Sequence, residues 1–233
     1  MKTQNLLFSI LVASLFFLAC SKSSNSNSNT TPPDLTKATA NAQYDKSNFG
    51  LYKGVFVGST GFVIISVNND NSLSALLMVD GTSYHFTSSQ TFQPNTAAVI
   101  NFVNGSNSFT FSIAANGSNP TVSNIVFSGH PNALITIVKQ TSTVSVDIYE
   151  GTYTCPLEHG TFNFVIAADK MDGTALESQG LANHTIAGTV SGGAISGTLT
   201  QHATFVGTIS GTTASGTFKS PDTNGTFQAV KTQ

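Results

Sequence analysis

The chain carries five histidines, His85, His130, His159, His184 and His202, together with eleven acidic residues and two cysteines. Their spacing decides which chemistry is on offer. No two histidines stand in an H-E-x-x-H or H-x-H arrangement, so no single helix or strand presents two imidazoles to one metal ion. The densest group is "CPLEHG", which sets Cys155, Glu158 and His159 within five residues. Such a group can form a metal site or a nucleophile with its base. Against this, Cys155 shares strand parity with Gly151 and Tyr153 and reads as a small buried hydrophobe, while Glu158 and His159 fall in a hairpin turn.

Glycoside hydrolysis asks for two carboxylates about 5 to 9.5 Å apart. Asp70, Asp80, Asp172 and Asp222 stand mostly in turn contexts, where an aspartate supports its own backbone. A Gly-x-Ser-x-Gly elbow and a phosphate-binding loop are both missing from the sequence, and "NNDN" at 68–71 lacks the bidentate glutamate of a calcium loop. The residues thus assign no catalytic, cofactor or metal position. An envelope hydrolase built from turn carboxylates and His159 is the alternative to a non-catalytic protein.

The elements that would position these residues are strands. Short alternating segments such as "FVIISV", "LSALLMV" and "SFTFSIAA" fill the first half, and eight more run from "GTYTC" at 151 to "GTFQAVK" at 225. Asn-Gly and Asp-Gly pairs between them, including Asp80–Gly81 and Asn104–Gly105, suit type I′ hairpins. The expected fold is all-β, an antiparallel meander or barrel-like set of many short strands. Its C-terminal half is expected to be a Gly-Thr-rich curled sheet or small barrel of about eight strands. "LYKGVFVGSTGFVIISV" from Leu51 echoes "IYEGTYTCPLEHGTFNFVIA" from Ile148, which suggests two related β units, 44–148 and 149–233.

Glycines recur in the second unit at strand positions, where they normally weaken pairing. Parity places Gly188, Gly197, Gly207 and Gly216 on the face of Ile186, Ile195, Phe205 and Phe218, and puts Thr189, Thr198, Thr208 and Thr217 on the opposite face. The glycines are expected to line up as one seam where the sheet coils and bulky side chains pack. Gly211, within "GTISGTTASGTF", belongs to a turn instead.

The N-terminus begins with Lys2, an apolar run over 6–18, then Ala19 and Cys20. That run is shorter than the roughly 20 residues of a bilayer span and reads as a secretory signal. "FFLAC" resembles the lipobox of bacterial lipoproteins, although Phe17 stands where leucine is usual. The resemblance implies a signal peptide at 1–19, acylation of Cys20 as the new N-terminus and, with Ser21 following, an outer-membrane address. Acyl chains anchor by about 0.8 kcal/mol per buried methylene. The Ser/Asn-rich stretch after Cys20 has a linker composition, and 20–43 is expected to be a disordered tether.

Only 9% of residues are charged, against about 25% in an average soluble protein. All nine basic residues are lysine and the net charge is −2, so no basic stripe invites nucleic acid. The absence of tryptophan lowers the weight of a sugar-binding platform. With Cys20 acylated, Cys155 has no disulfide partner. The expected partners are the membrane, through the N-terminal lipid, and either an envelope protein or a small apolar ligand.

Overall fold

Residues 32–178, 182–200 and 202–233 are described by the structure, a computed structural model. Cys20, the signal segment and most of the linker lie outside them. Apolar alternation broken by Gly, Asn and Asp produces sixteen antiparallel strands, and no helix among the described residues is long and apolar enough to cross a membrane.

The first eight strands are β1 (Gly50–Val57), β2 (Gly61–Val67), β3 (Leu73–Val79), β4 (Thr82–Thr87), β5 (Ala98–Asn104), β6 (Asn107–Ile113), β7 (Thr121–Val126) and β8 (Leu134–Gln140). They form one sheet in the order β7-β6-β5-β4-β3-β2-β1-β8. The sheet curls until β7 and β8 come near each other without pairing, a barrel with one open seam. Its interior is filled by rings, with Phe102 and Phe109 stacked at 5.2 Å and Tyr52 edge-on to Phe111 at 5.0 Å.

The turns at both Asp80–Gly81 and Asn104–Gly105 are hairpins, but of different kinds. Asp80 and Gly81 both take positive φ, the type I′ pattern, whereas Gly105 alone does so in its loop. There the first loop position is Gly105 and the second Ser106, which matches II′ and not the expected I′.

The second set is β9 (Val146–Thr154), β10 (His159–Ala167), β11 (Lys170–Glu177), β12 (Asn183–Ser191), β13 (Ala194–Leu199), β14 (Ala203–Ser210), β15 (Thr213–Lys219) and β16 (Asn224–Lys231). Here β16 pairs with β9 and the barrel closes. The parity reading holds: Ile186, Ile195, Leu199, Phe205, Ala214 and Phe218 are buried, while Thr189, Thr198, Thr208 and Thr217 are exposed.

One continuous glycine seam does not form. Gly188 lies opposite Gly197 and Gly207 opposite Gly216, but the register between β13 and β14 sets Gly197 against Phe205 and Ile195 against Gly207. The glycines therefore make two separate cells, and each is covered by a phenylalanine. A Cβ added at Gly197 would meet the Phe205 ring at 2.6 Å, and one at Gly216 would meet the Phe227 ring at 2.6 Å. The missing side chains are what admit these rings to a narrow interior.

A second apolar layer joins the two sheets within the unit Pro33–Gln233. Leu51, Val55 and Ile64, from the outer face of the first sheet, pack with Ile148, Val165 and Leu176 from the outer face of the barrel. This explains why β1 and β2 are buried on both faces. Asn163, 1% exposed, secures the junction: its Nδ2 donates to the Phe56 carbonyl at 3.0 Å and its Oδ1 accepts from the Gly151 N–H at 2.9 Å.

Residues 33–43, assigned above to the disordered tether, are built into this fold. Short 3-10 turns cover Leu35–Lys37 and Ala42–Tyr44, and Leu35 is 1% exposed within the apolar layer. One buried leucine and the Asp34 and Asn41 caps, whose side chains accept the Thr36 and Gln43 N–H groups, hold a segment whose composition alone reads as linker.

Candidate functional site

The interior positions of the closed barrel continue past its packed core to one mouth. Along β11, Met171, Gly173 and Ala175 face inward, and Glu177 is the next residue of that parity. Along β12, His184 precedes the buried Ile186 by two. Register sets His184 opposite Ala175 and Glu177 opposite Gly160. Gly160 carries no side chain, so Glu158, two residues earlier, reaches the same space from the turn before β10. That turn is closed by a Cys155 N–H bond to the Glu158 carbonyl at 2.9 Å.

Glu158, Glu177 and His184 are all half-buried, and one ligating atom from each lies within 4.8 Å of those of the other two. The Tyr153 hydroxyl donates to Glu158 Oε1 at 3.1 Å. A hydrogen bond shared with Glu158, reinforced by burial and by the neighbouring charge, raises the Glu177 carboxyl above its ordinary 4.5. The nearby Glu158 carboxylate thus disfavours the charged form of Glu177. Burial, together with the Glu158 charge, likewise holds the Tyr153 phenol above its usual range.

These groups border a cavity of about 210 Å³. Phe162, Leu199 and Phe218 supply its apolar wall, and Ser220, Asp222 and Thr223 its polar rim. Taking about 30 Å³ per water, the space equals roughly seven waters. It is smaller than the usual 300–1,000 Å³ of a drug-sized site.

Of the residues singled out in the sequence, Glu158 and His184 reach this centre, and Asp222 sits on its rim. The Cys155–Glu158–His159 cluster does not assemble. Cys155 packs against the barrel core, and exposed His159 lines an outer groove that also contains His130. Asp70 accepts from Ser66 and Ser72, and Asp80 accepts from Ser59 and Thr60 and lies 3.5 Å from His130. Both serve turns, as expected. Asp172, in contrast, is an exposed strand residue of β11. His85 is on β4, and His202 is an exposed turn residue with positive φ. Glu177 was missed and His184 was named without a partner, although the parity that located the glycines also marks both: each stands two residues beyond a buried position.

Compared with known proteins, the chain matches no family model, no curated protein and no solved structure.

Proposed function

We propose that this is a cell-envelope lipoprotein, anchored through Cys20 and addressed to the outer membrane, whose β domain binds a small molecule and performs no chemistry on it. The observation that carries the binding reading is the cavity at the barrel mouth, apolar along Phe162, Leu199 and Phe218 and polar at its rim. A closed barrel with one unfilled end is a common place for a small ligand. The acidic groups and His184 at the entrance favour a ligand with a polar end over the wholly apolar one expected from sequence. Its size excludes an acyl chain held along its length.

The hydrolase alternative loses His159, which lies outside the cavity, and keeps only Asp222 on the rim from its named carboxylates. It is not restored by Glu158 and Glu177. One oxygen of each lies within 4.8 Å of the other, whereas a glycosidase pair stands at least about 5 Å apart to admit substrate or water.

Two measurements test the reading. Labelled palmitate enters the wild-type chain, and Cys20→Ser abolishes the label; a labelled mutant removes the anchor. Native mass spectrometry of protein taken from its own envelope shows a small bound species. In Ala203→Phe, which fills the cavity wall, that species is lost; its persistence there places binding elsewhere.

A further inference from the structure

Glu177 and His184 stand on paired strands of the closed barrel, and Glu158 stands in a turn closed by the Cys155 N–H bond to its carbonyl. The donor set is two carboxylates and one imidazole, with ligating atoms within 4.8 Å of one another. A tetrahedral ion with bonds near 2.1 Å brings its donors to roughly 3.4 Å apart. Closing from the present spacing takes about an ångström of side-chain movement, within reach of two glutamates.

Charge points the same way. Among the described residues that line the cavity there is no lysine, and the chain contains no arginine. The carboxylates thus face no lysine or arginine there, and His184 is the basic group beside them. A divalent ion bound between them would neutralise both. The imidazole narrows the choice, because calcium and magnesium prefer all-oxygen cages, while mixed nitrogen and oxygen donors suit zinc and its first-row neighbours.

We infer that Glu158, Glu177 and His184 bind one first-row divalent cation, with zinc as its representative, at the mouth of the closed barrel. This departs from the sequence expectation of no metal site. Three protein ligands leave a fourth position directed to the 210 Å³ cavity, the open arrangement of a site that holds an exchangeable ligand. Tyr153 acts as a positioning residue, since its hydroxyl fixes Glu158 Oε1. The inference rests on the binding reading above, and supplies the group to which a polar ligand would attach.

The test is equilibrium dialysis of the purified full chain against zinc, read by metal analysis. One tightly held zinc per chain is expected. Glu177→Gln and His184→Ala weaken it by at least about tenfold, and Tyr153→Phe weakens it by about tenfold. His159→Ala and His202→Ala, at exposed sites, leave it unchanged. Melting temperatures without metal verify that each variant is folded. For any variant that is not, cobalt binding to the wild-type chain gives a second reading: a tetrahedral visible spectrum supports the site and an octahedral one overturns it. Absence of stoichiometric zinc, or zinc lost only in His159→Ala or His202→Ala, overturns the inference. Failure here leaves the co-purifying species of the preceding test in place, so the two readings fail separately.

Discussion

The two sheets are built on the same plan and end differently. In each, eight strands run as a meander and the eighth returns to pair with the first, β8 with β1 and β16 with β9. The second set also pairs its seventh and eighth strands and becomes a closed barrel, whereas the first leaves β7 and β8 unpaired. Local chemistry accounts for the difference. The link from β15 to β16 is a short turn in which Ser220 N–H donates to the Thr223 carbonyl at 2.8 Å. The link from β7 to β8 is longer and puts Phe127 into the core, and β7 is bent by a register shift opposite Ser108 and Thr110 and by positive φ at Asn124. A bulge of this sort ends pairing and blunts an edge.

The first sheet has a second weak seam, where β4 and β5 pair only at Thr87 and Val103. Side-chain amides replace the missing ladder. Gln90 donates to the Val99 carbonyl at 3.1 Å and accepts from the Asn101 N–H at 2.6 Å, while Asn104 donates to the His85 carbonyl at 2.8 Å. The lesson is that a sheet of large rings curls by leaving gaps and patching them, whereas a sheet with glycine cells coils tightly enough to close. Closure around a narrow, ring-filled centre then leaves its unfilled space at one end, where the cavity lies.

The sharpest way to break this comparison is to remove residues 224–233. That deletes β16, exposes unpaired edges on β15 and β9, and takes away the Gln233 carbonyl that accepts from the Ile148 N–H at 3.0 Å. Loss of a cooperative melt, or aggregation, is expected; a barrel that still melts cooperatively would show that closure is dispensable.

Lys139→Met should be next in size and should fall on the first sheet. Its ammonium donates to the Tyr44, Ser47 and Phe49 carbonyls and lies 5.5 Å from the Tyr52 ring centre, and burial pulls its pKa down to about 8. Leaving those carbonyls unpaired should cost about 3 kcal/mol, read by denaturant unfolding. Faster hydrogen exchange is expected in β1 and β8 and not in β12–β15.

Gly197→Val tests the second sheet in turn. The added side chain meets the Phe205 ring and the backbone of β12, so a loss of about 2 kcal/mol is expected. Gly211→Val is the control, because a Cβ there meets nothing within 4 Å, although its φ of +61° adds strain of its own. If the turn variant costs more than the cell variant, close packing at the cells is not what demands glycine.

The smallest effect belongs to Asp80, whose carboxyl is held below 3.8, first by the Ser59 hydroxyl and then, against slight burial, by Thr60 and nearby His130. A depressed folded value gives stability that is present above 3.8 and lost as pH falls through the folded value. Asp80→Asn should therefore lower the melting temperature slightly at neutral pH and flatten its fall in acid. An unchanged acid slope would show that the turn bonds hold without the charge.

The sequence by itself determined the class of element, the turn positions and the sidedness of the second sheet. Each depends on residues one to four apart: Asp80 with Gly81 for a hairpin, Ile195 with Leu199 for an inner face, Thr198 for an outer one. The same rule extended by one step along β11 and β12 would have included Glu177 and His184. Tertiary structure alone decided which faces met. The register that breaks the glycine seam into two cells, the pairing of β16 with β9, and the convergence of Glu158, Glu177 and His184 all depend on strand offsets across the sheet. A shift of one residue inverts every side chain, and such an offset is set by the packing of the whole barrel, not by any one segment.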